Sequence, residues 1–154
     1  MSVEQLAVAE IVRRQAERGK VASRETALLS TEQKNAALRA MADALRAQAD
    51  AILAANAEDM RRAREAGMAS HLLDRLALTP KRLDDMAMMV EAVAALPDPV
   101  GEVIARDTRP NGLRVERVRV PMGLIAVVFE ARPNVTSDVA ALCLKSGNAV
   151  LLRG

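Results

Sequence analysis

The chain has 154 residues, 51% of them hydrophobic and 27% charged, with a net charge of +2 and a single aromatic residue, Phe129. That balance fits a soluble domain of ordinary size, or a piece of something larger, and excludes both an aromatic stacking platform and a basic face for nucleic acid. No apolar run reaches the roughly 18 residues of a membrane span, the N-terminus lacks a signal-peptide pattern, and a lone cysteine suits a reducing cytoplasm.

Residues 1–97 read as an N-terminal helical segment. Ser2 and Gln5 have capping-box spacing, and Leu6, Ala9 and Val12 repeat at the helical period. Gly19 is expected to close this helix, because a polar stretch over residues 20–25 then breaks the pattern. Ser30 and Gln33 form a second capping box. Leu38, Met41, Leu45, Ile52 and Leu53 mark one face of a long helix, which Asn56 is expected to end while capping the next, as far as Gly67. Ser70 opens the short segment HLLDRLAL. Thr79-Pro80 then sets a cap before a proline at the first helical position. Leu83, Met86, Val90, Val93 and Ala94 stripe the following helix up to Pro97, with Met86, Met88 and Met89 expected as core filler.

Residues 98–122 read as a β-hairpin and linker, of the kind that serves as an oligomerisation arm. Period-two segments over residues 102–107 and 113–120 flank the turn Pro110-Asn111-Gly112. The alternation slips at Glu116–Arg117, which predicts a β-bulge there. The charges Arg114, Glu116, Arg117 and Arg119 read either as a solvated face or as an edge for subunit assembly. In residues 123–154 a strand over 124–129 is apolar on both faces, as suits burial between helices. A helix over 137–145, capped by Thr136 or Ser137 and stopped by Gly147, leads to a second apolar strand over 149–152. The crossover predicts a parallel βαβ unit. Two parallel strands make an unfinished doubly wound sheet, so the chain is expected to continue past Gly154.

Ligands of open α/β sheets lie beyond the carboxyl ends of the strands, where Arg132, Pro133 and Asn134 follow the first parallel strand. An amide there is placed either to donate to a forming oxyanion or to serve as a turn former or helix cap. No G-x-G-x-x-G or P-loop occurs. Cys143, among Leu142 and Leu144, reads as core packing. His71 lacks partners for a metal site, and Asp84 and Asp85 suit the start of a helix.

The stretch VPMGLIAVVFEARPNVTSDVAALCLKSGNAVLLRG closely resembles the start of the cofactor domain of the gamma-glutamyl phosphate reductase family, in the aldehyde dehydrogenase superfamily. The resemblance extends upstream through GLRVERVRVP, LPDPVG, LLDRLALTPKRL and ILAANAEDM, nearly the whole chain. It implies an α/β architecture: N-terminal helices, a hairpin, and the first βαβ unit of an NADP-binding, Rossmann-like domain. It also implies reduction of L-glutamyl 5-phosphate to L-glutamate 5-semialdehyde with NADPH, in proline biosynthesis. Asn134 matches the oxyanion donor, Ala131, Arg132 and Pro133 the border of the nicotinamide pocket, and Arg153 the contact with the adenosine end of NADP. Arg132 is suggested to face an anion, the acyl phosphate or the substrate carboxylate, or else to be a solvated loop charge. The family's nucleophilic cysteine lies far downstream of VLLRG, and Cys143 does not match it, so this chain alone is expected to be inactive. The complete protein is expected to be a cytoplasmic homo-oligomer acting on a small molecule, without metal, nucleic acid or membrane. The alternatives are a truncated module serving assembly or binding only, and a segment of another aldehyde dehydrogenase.

Overall fold

The computed structural model describes residues 3–154, with side chains from Val8 onward. The Ser2–Gln5 capping box and the Leu6 side chain lie outside these described residues. Six helices, α1 (Val3–Thr26), α2 (Thr31–Ala47), α3 (Ala49–Glu65), α4 (Ser70–Leu76), α5 (Pro80–Ala95) and α6 (Asn134–Lys145), are joined by four strands, β1 (Val103–Thr108), β2 (Arg114–Val118), β3 (Leu124–Val128) and β4 (Ala149–Arg153).

Local signals act where the sequence places them. Ser30 and Gln33 close a full capping box on α2, and the Thr79 hydroxyl accepts from the Arg82 N–H ahead of Pro80. Gly147, at φ 72°, ends α6 with bonds from Gly147 N to Leu144 O and from Asn148 N to Cys143 O, a Schellman pair.

Three helix boundaries differ from expectation. α1 runs unbroken through Gly19 and the polar stretch to Thr26. Gly19 serves approach rather than termination, since a Cβ there would stand 2.8 Å from Leu124 Cδ1 at the head of β3. The long helix breaks at Gln48, whose N–H is bonded to Ala44 and Arg46 carbonyls, and not at Asn56. Asn56 sits inside α3, 6% exposed, and binds the segment after α4. α6 starts at Asn134, three residues before Ser137, with Pro133 as an N-cap that makes no side-chain bond.

The core forms where α2 and α5 pack together and α6 lies across them. Leu38 and Ala42, Ala87, Val90, Val93 and Ala94, and Ala141 make this cluster. Met86 joins the buried side of α5, but Met88 and Met89 are half exposed, because they fall off the stripe. The third buried position on α2, in register with Leu38 and Ala42, is Lys34, 2% exposed, which pairs with Asp98 at 2.5 Å. Asp98 also accepts from the Thr31 hydroxyl and the Val100 N–H. At the end of α6 the buried Lys145 ammonium donates to Asn35 Oδ1 at 2.6 Å and to the Ala94 carbonyl at 2.9 Å.

β1 and β2 pair antiparallel, and the bulge lies on β1 between Val103 and Ala105, opposite the Arg117–Val118 step, not on β2. The whole of β2 is solvent-exposed. β3 and β4 pair in parallel, from Leu124 opposite Ala149 to Val128 opposite Arg153. α1 packs on both strands and α6 on β4. Ala126 and Val128 remain exposed, so β3 is less covered than its apolar sequence suggests. Asn148 Oδ1 accepts from the Gly123 N–H at 2.8 Å and ties the starts of β3 and β4 together.

Burial alone would raise the Asp98 pKa, but the bonds from Lys34, Thr31 and Val100 outweigh it and hold the carboxyl below its ordinary range. A depressed acid contributes stability above its unfolded pKa and loses it as pH falls through the folded value. Removing the carboxylate would leave Lys34 charged and buried. Asp98→Ala is therefore expected to cost about 3 kcal/mol at pH 7 in urea denaturation. The difference from the parent should shrink toward pH 3, as the parent carboxyl itself protonates.

Candidate functional site

β3 runs out at Val128, and the Phe129 N–H takes one more bond, to the Arg153 carbonyl at 2.9 Å. The chain then turns sharply. Ala131 takes φ 46°, a left-handed conformation uncommon for a residue with a Cβ. Val135 N bonds to Arg132 O and Thr136 N to Pro133 O, so the first turn of α6 winds directly out of this loop. Arg132, Pro133 and Asn134 thus sit at the carboxyl end of a parallel strand and the N-terminus of a 12-residue helix.

Asn134 is the first residue of α6 and not its cap. Its side chain is exposed, and Nδ2 donates to Asp138 Oδ2, one turn on, at 2.9 Å. An amide carries two N–H donors, so one remains for a ligand while Asp138 fixes the direction of the group.

These residues form one wall of a cleft of about 390 Å³. The opposite wall is the corner between α4 and α5, with Asp74, Arg75 and Leu78 on one side and Arg82, Asp85, Met86 and Met89 on the other. Buried and anchored contacts hold that corner. Asn56 Nδ2 donates to the Leu76 carbonyl at 2.9 Å, and its Oδ1 accepts from the Leu78 N–H at 2.7 Å. Arg82 donates to the Asp74 and Ala77 carbonyls and to the Asp74 carboxylate, stabilising the C-terminal end of α4.

The cleft's charges divide by commitment. Arg82 is paired with Asp74, and Asp85 is held by Lys81. Arg75 and Arg132 have no ion pair or side-chain hydrogen bond among the described residues, and both are exposed. Asp138 is half-buried and engaged through one oxygen only.

Of the other expected site residues, Ala131 is half-buried and lines neither large groove. Arg153 lies at the end of β4 in a separate groove of about 630 Å³, between α1 and the parallel strands, beside Arg18 and Gly19. The structure therefore gathers Arg132, Pro133 and Asn134 into one cleft and sets Arg153 in another, on the same carboxyl edge of the sheet. Cys143 is 5% exposed in the core side of α6, and burial pushes its thiol pKa up, as suits packing and not nucleophilic attack. His71 is exposed, and the described residues hold no cluster of three His, Cys, Asp or Glu that could bind a metal. Sequence reasoning missed Arg75, Asp138 and Asn56. The spacing of Asn134 and Asp138 was the available signal for one of them, once the helix is started at Asn134.

The class of protein is thus mixed α/β: helices first, then an antiparallel hairpin and a parallel βαβ unit with a cleft at its carboxyl edge. No protein-family model matches the chain. The chain is 58% identical over 139 residues to the gamma-glutamyl phosphate reductase of Geobacillus kaustophilus, covering 90% of this chain and 34% of that protein. It is 54% identical over 143 residues to that of Thermobifida fusca, covering 93% and 34%. Crystal structures of gamma-glutamyl phosphate reductases from Thermotoga maritima and Saccharomyces cerevisiae superpose with a TM-score of 0.86 each, at 45% and 38% identity. They cover 92% and 90% of this chain, which covers 34% and 35% of theirs. In sequence and fold this chain matches the N-terminal part of gamma-glutamyl phosphate reductases. It spans about a third of the length of these relatives.

Because Cys143 packs in the core and faces neither cleft, Cys143→Ala in a complete reductase carrying this segment should retain most of the parent's kcat and cost about 1 kcal/mol of stability. Loss of turnover with an unchanged melting curve would place the nucleophile at Cys143 after all.

Proposed function

We propose that this chain is the N-terminal part of a reductase that converts L-glutamyl 5-phosphate to L-glutamate 5-semialdehyde with NADPH, in proline biosynthesis. The observation that supports this most strongly is the 58% identity to a named reductase over 139 residues, reaching through helices that carry no chemistry as well as through the cleft.

The reaction needs a thiolate to displace phosphate and form a thioester, then a reductant to release the aldehyde. In this reading the thiolate comes from a part of the reductase outside residues 1–154. NADPH supplies the hydride when bound. The residues here fit a dinucleotide phosphate in one respect: Arg153 stands at the carboxyl end of a parallel strand, in a groove open enough to admit it, and a guanidinium suits a 2′-phosphate. Ala131, Arg132 and Pro133 would border the nicotinamide end. They set the strained loop from which α6 begins.

Asn134 would donate its remaining N–H to the oxyanion that develops on the substrate carbonyl. A donor already aimed needs no reorganisation as charge forms, and such donors are worth about 10² to 10³ in kcat. Asp138 keeps it aimed. A cytoplasmic homo-oligomer remains part of this proposal. No helix among the described residues is long and apolar enough to cross a membrane, and the hairpin exposes Val115 and Val118 beside its charges, as an assembly edge would.

The test is Asn134→Ala in a complete reductase carrying this segment, by steady-state kinetics beside a thermal melt. The expected result is a fall of about 10² to 10³ in kcat with nearly unchanged NADPH affinity. Since Asn134 is not the helix cap, its purely structural worth is one exposed i,i+4 bond, a few tenths of a kcal/mol by order of magnitude. Normal kcat with a slightly lowered melting temperature would refute the oxyanion role.

A further inference from the structure

Apart from Asn134, the cleft beside it offers three charged groups that the fold has not already satisfied. Arg75 projects from the α4 wall and Arg132 from the loop after β3, neither with a partner among the described residues. Asp138 faces the same space from α6, with Oδ2 taken by the Asn134 amide and Oδ1 without a hydrogen bond. The other three charges there, Asp74, Arg82 and Asp85, are used within the protein. The open pattern is thus two guanidiniums and one carboxylate oxygen on a cleft of about 390 Å³, a volume in the range of small-molecule sites.

That pattern is the complement of a ligand with two anionic groups and one cation. An α-amino acid with an activated, anionic far end is such a ligand: it carries an α-carboxylate, an α-ammonium and a second anion at the reacting end. We propose that Arg75 reads the α-carboxylate and Asp138 Oδ1 the α-ammonium of the substrate, which makes the α4–α5 corner the specificity wall of the site. This rests on the reductase reading above and deepens it. Arg132 stands two residues before Asn134 on the same wall of the cleft and so takes the anion at the reacting end. Arg75 lines the same cleft from the α4 wall and is left for the substrate's other end. The guanidinium fork matches a carboxylate in two parallel bonds, which an ammonium on a lysine stem does not. The corner is suited to this task because it is rigid: Asn56 pins its backbone on one side and Arg82 on the other.

The experiment uses a complete reductase carrying this segment, run in the direction of phosphate- and NADP-dependent aldehyde oxidation. Three aldehydes are compared: L-glutamate 5-semialdehyde, 4-aminobutanal, which lacks the carboxylate, and 5-oxopentanoate, which lacks the ammonium. The parent should prefer the semialdehyde over both. Arg75→Gln should lower kcat/KM for the semialdehyde by about 10- to 100-fold, the worth of a charge-assisted pair, and hardly change it for 4-aminobutanal. Arg75→Lys should recover only part of that loss. Asp138→Asn should lower turnover of all three through Asn134, and in addition should erase the preference for the semialdehyde over 5-oxopentanoate. A parent that is active but keeps its preference for the carboxylate in Arg75→Gln, with an unchanged melting curve, overturns this assignment and leaves the reductase reading intact. A parent inactive on the semialdehyde overturns both.

Discussion

The placement of α6, which carries one wall of the cleft, hangs on a buried amine. Lys145 ends α6, only 3% exposed, with its ammonium held by the Asn35 side chain of α2 and the Ala94 carbonyl near the end of α5. Burial lowers the pKa of this lysine, with Asp98 opposing the shift and Lys34 and Arg39 adding to it. An ammonium removed from water is costly unless its donors are met, so α6 is tolerated only in the one placement that meets them. Lys34 and Asp98 close the same junction from the other side. The apolar cluster of Leu38, Val90, Val93 and Ala141 supplies the adhesion, which is not directional. The ion contacts supply the register. With the C-terminal end of α6 fixed there, its first turn is carried to face the corner between α4 and α5.

The two walls of the cleft are built by different means. One is a loop under backbone strain, at Ala131, which turns the chain from a strand directly into a helix without a capping side chain. The other is a corner whose backbone polar groups are met by side chains from neighbouring helices, Asn56 from α3 and Arg82 from α5. The corner also carries the exposed Arg82–Asp74 pair, which water and salt weaken, but its backbone bonds to Asn56 and Arg82 do not rest on that pair. A site made this way keeps its shape while its free charges stay available.

What could be read from the sequence follows the range of the interactions. The Ser30 box, the Thr79-Pro80 start and the Gly147 stop are settled within a few residues, and they stand where local chemistry puts them. Gly19 reads as a stop because nothing nearby says that Leu124 must approach it. Asn56 reads as a cap because its true partners, Leu76 and Leu78, are a helix away. The break at Gln48 carries no glycine or proline to announce it. Arg75 and Arg82 are indistinguishable in sequence, and only the fold shows that one is structural and the other uncommitted. The family resemblance reached Asn134 and its neighbours, whereas the opposing wall required coordinates.

Lys145 is 110 residues from Asn35 and 51 from Ala94. During synthesis at about 5 to 20 residues per second, the helical segment therefore exists for about 3 to 10 seconds before the group that completes its junction has been made. In that interval Lys34 and Asp98 can already pair, since both belong to the earlier part of the chain. The nascent helices are then a partly closed scaffold with one vacancy for a cation. Ribosomal pauses before codon 145 would lengthen the life of that intermediate, and binding by a chaperone would compete with the arrival of a single side chain.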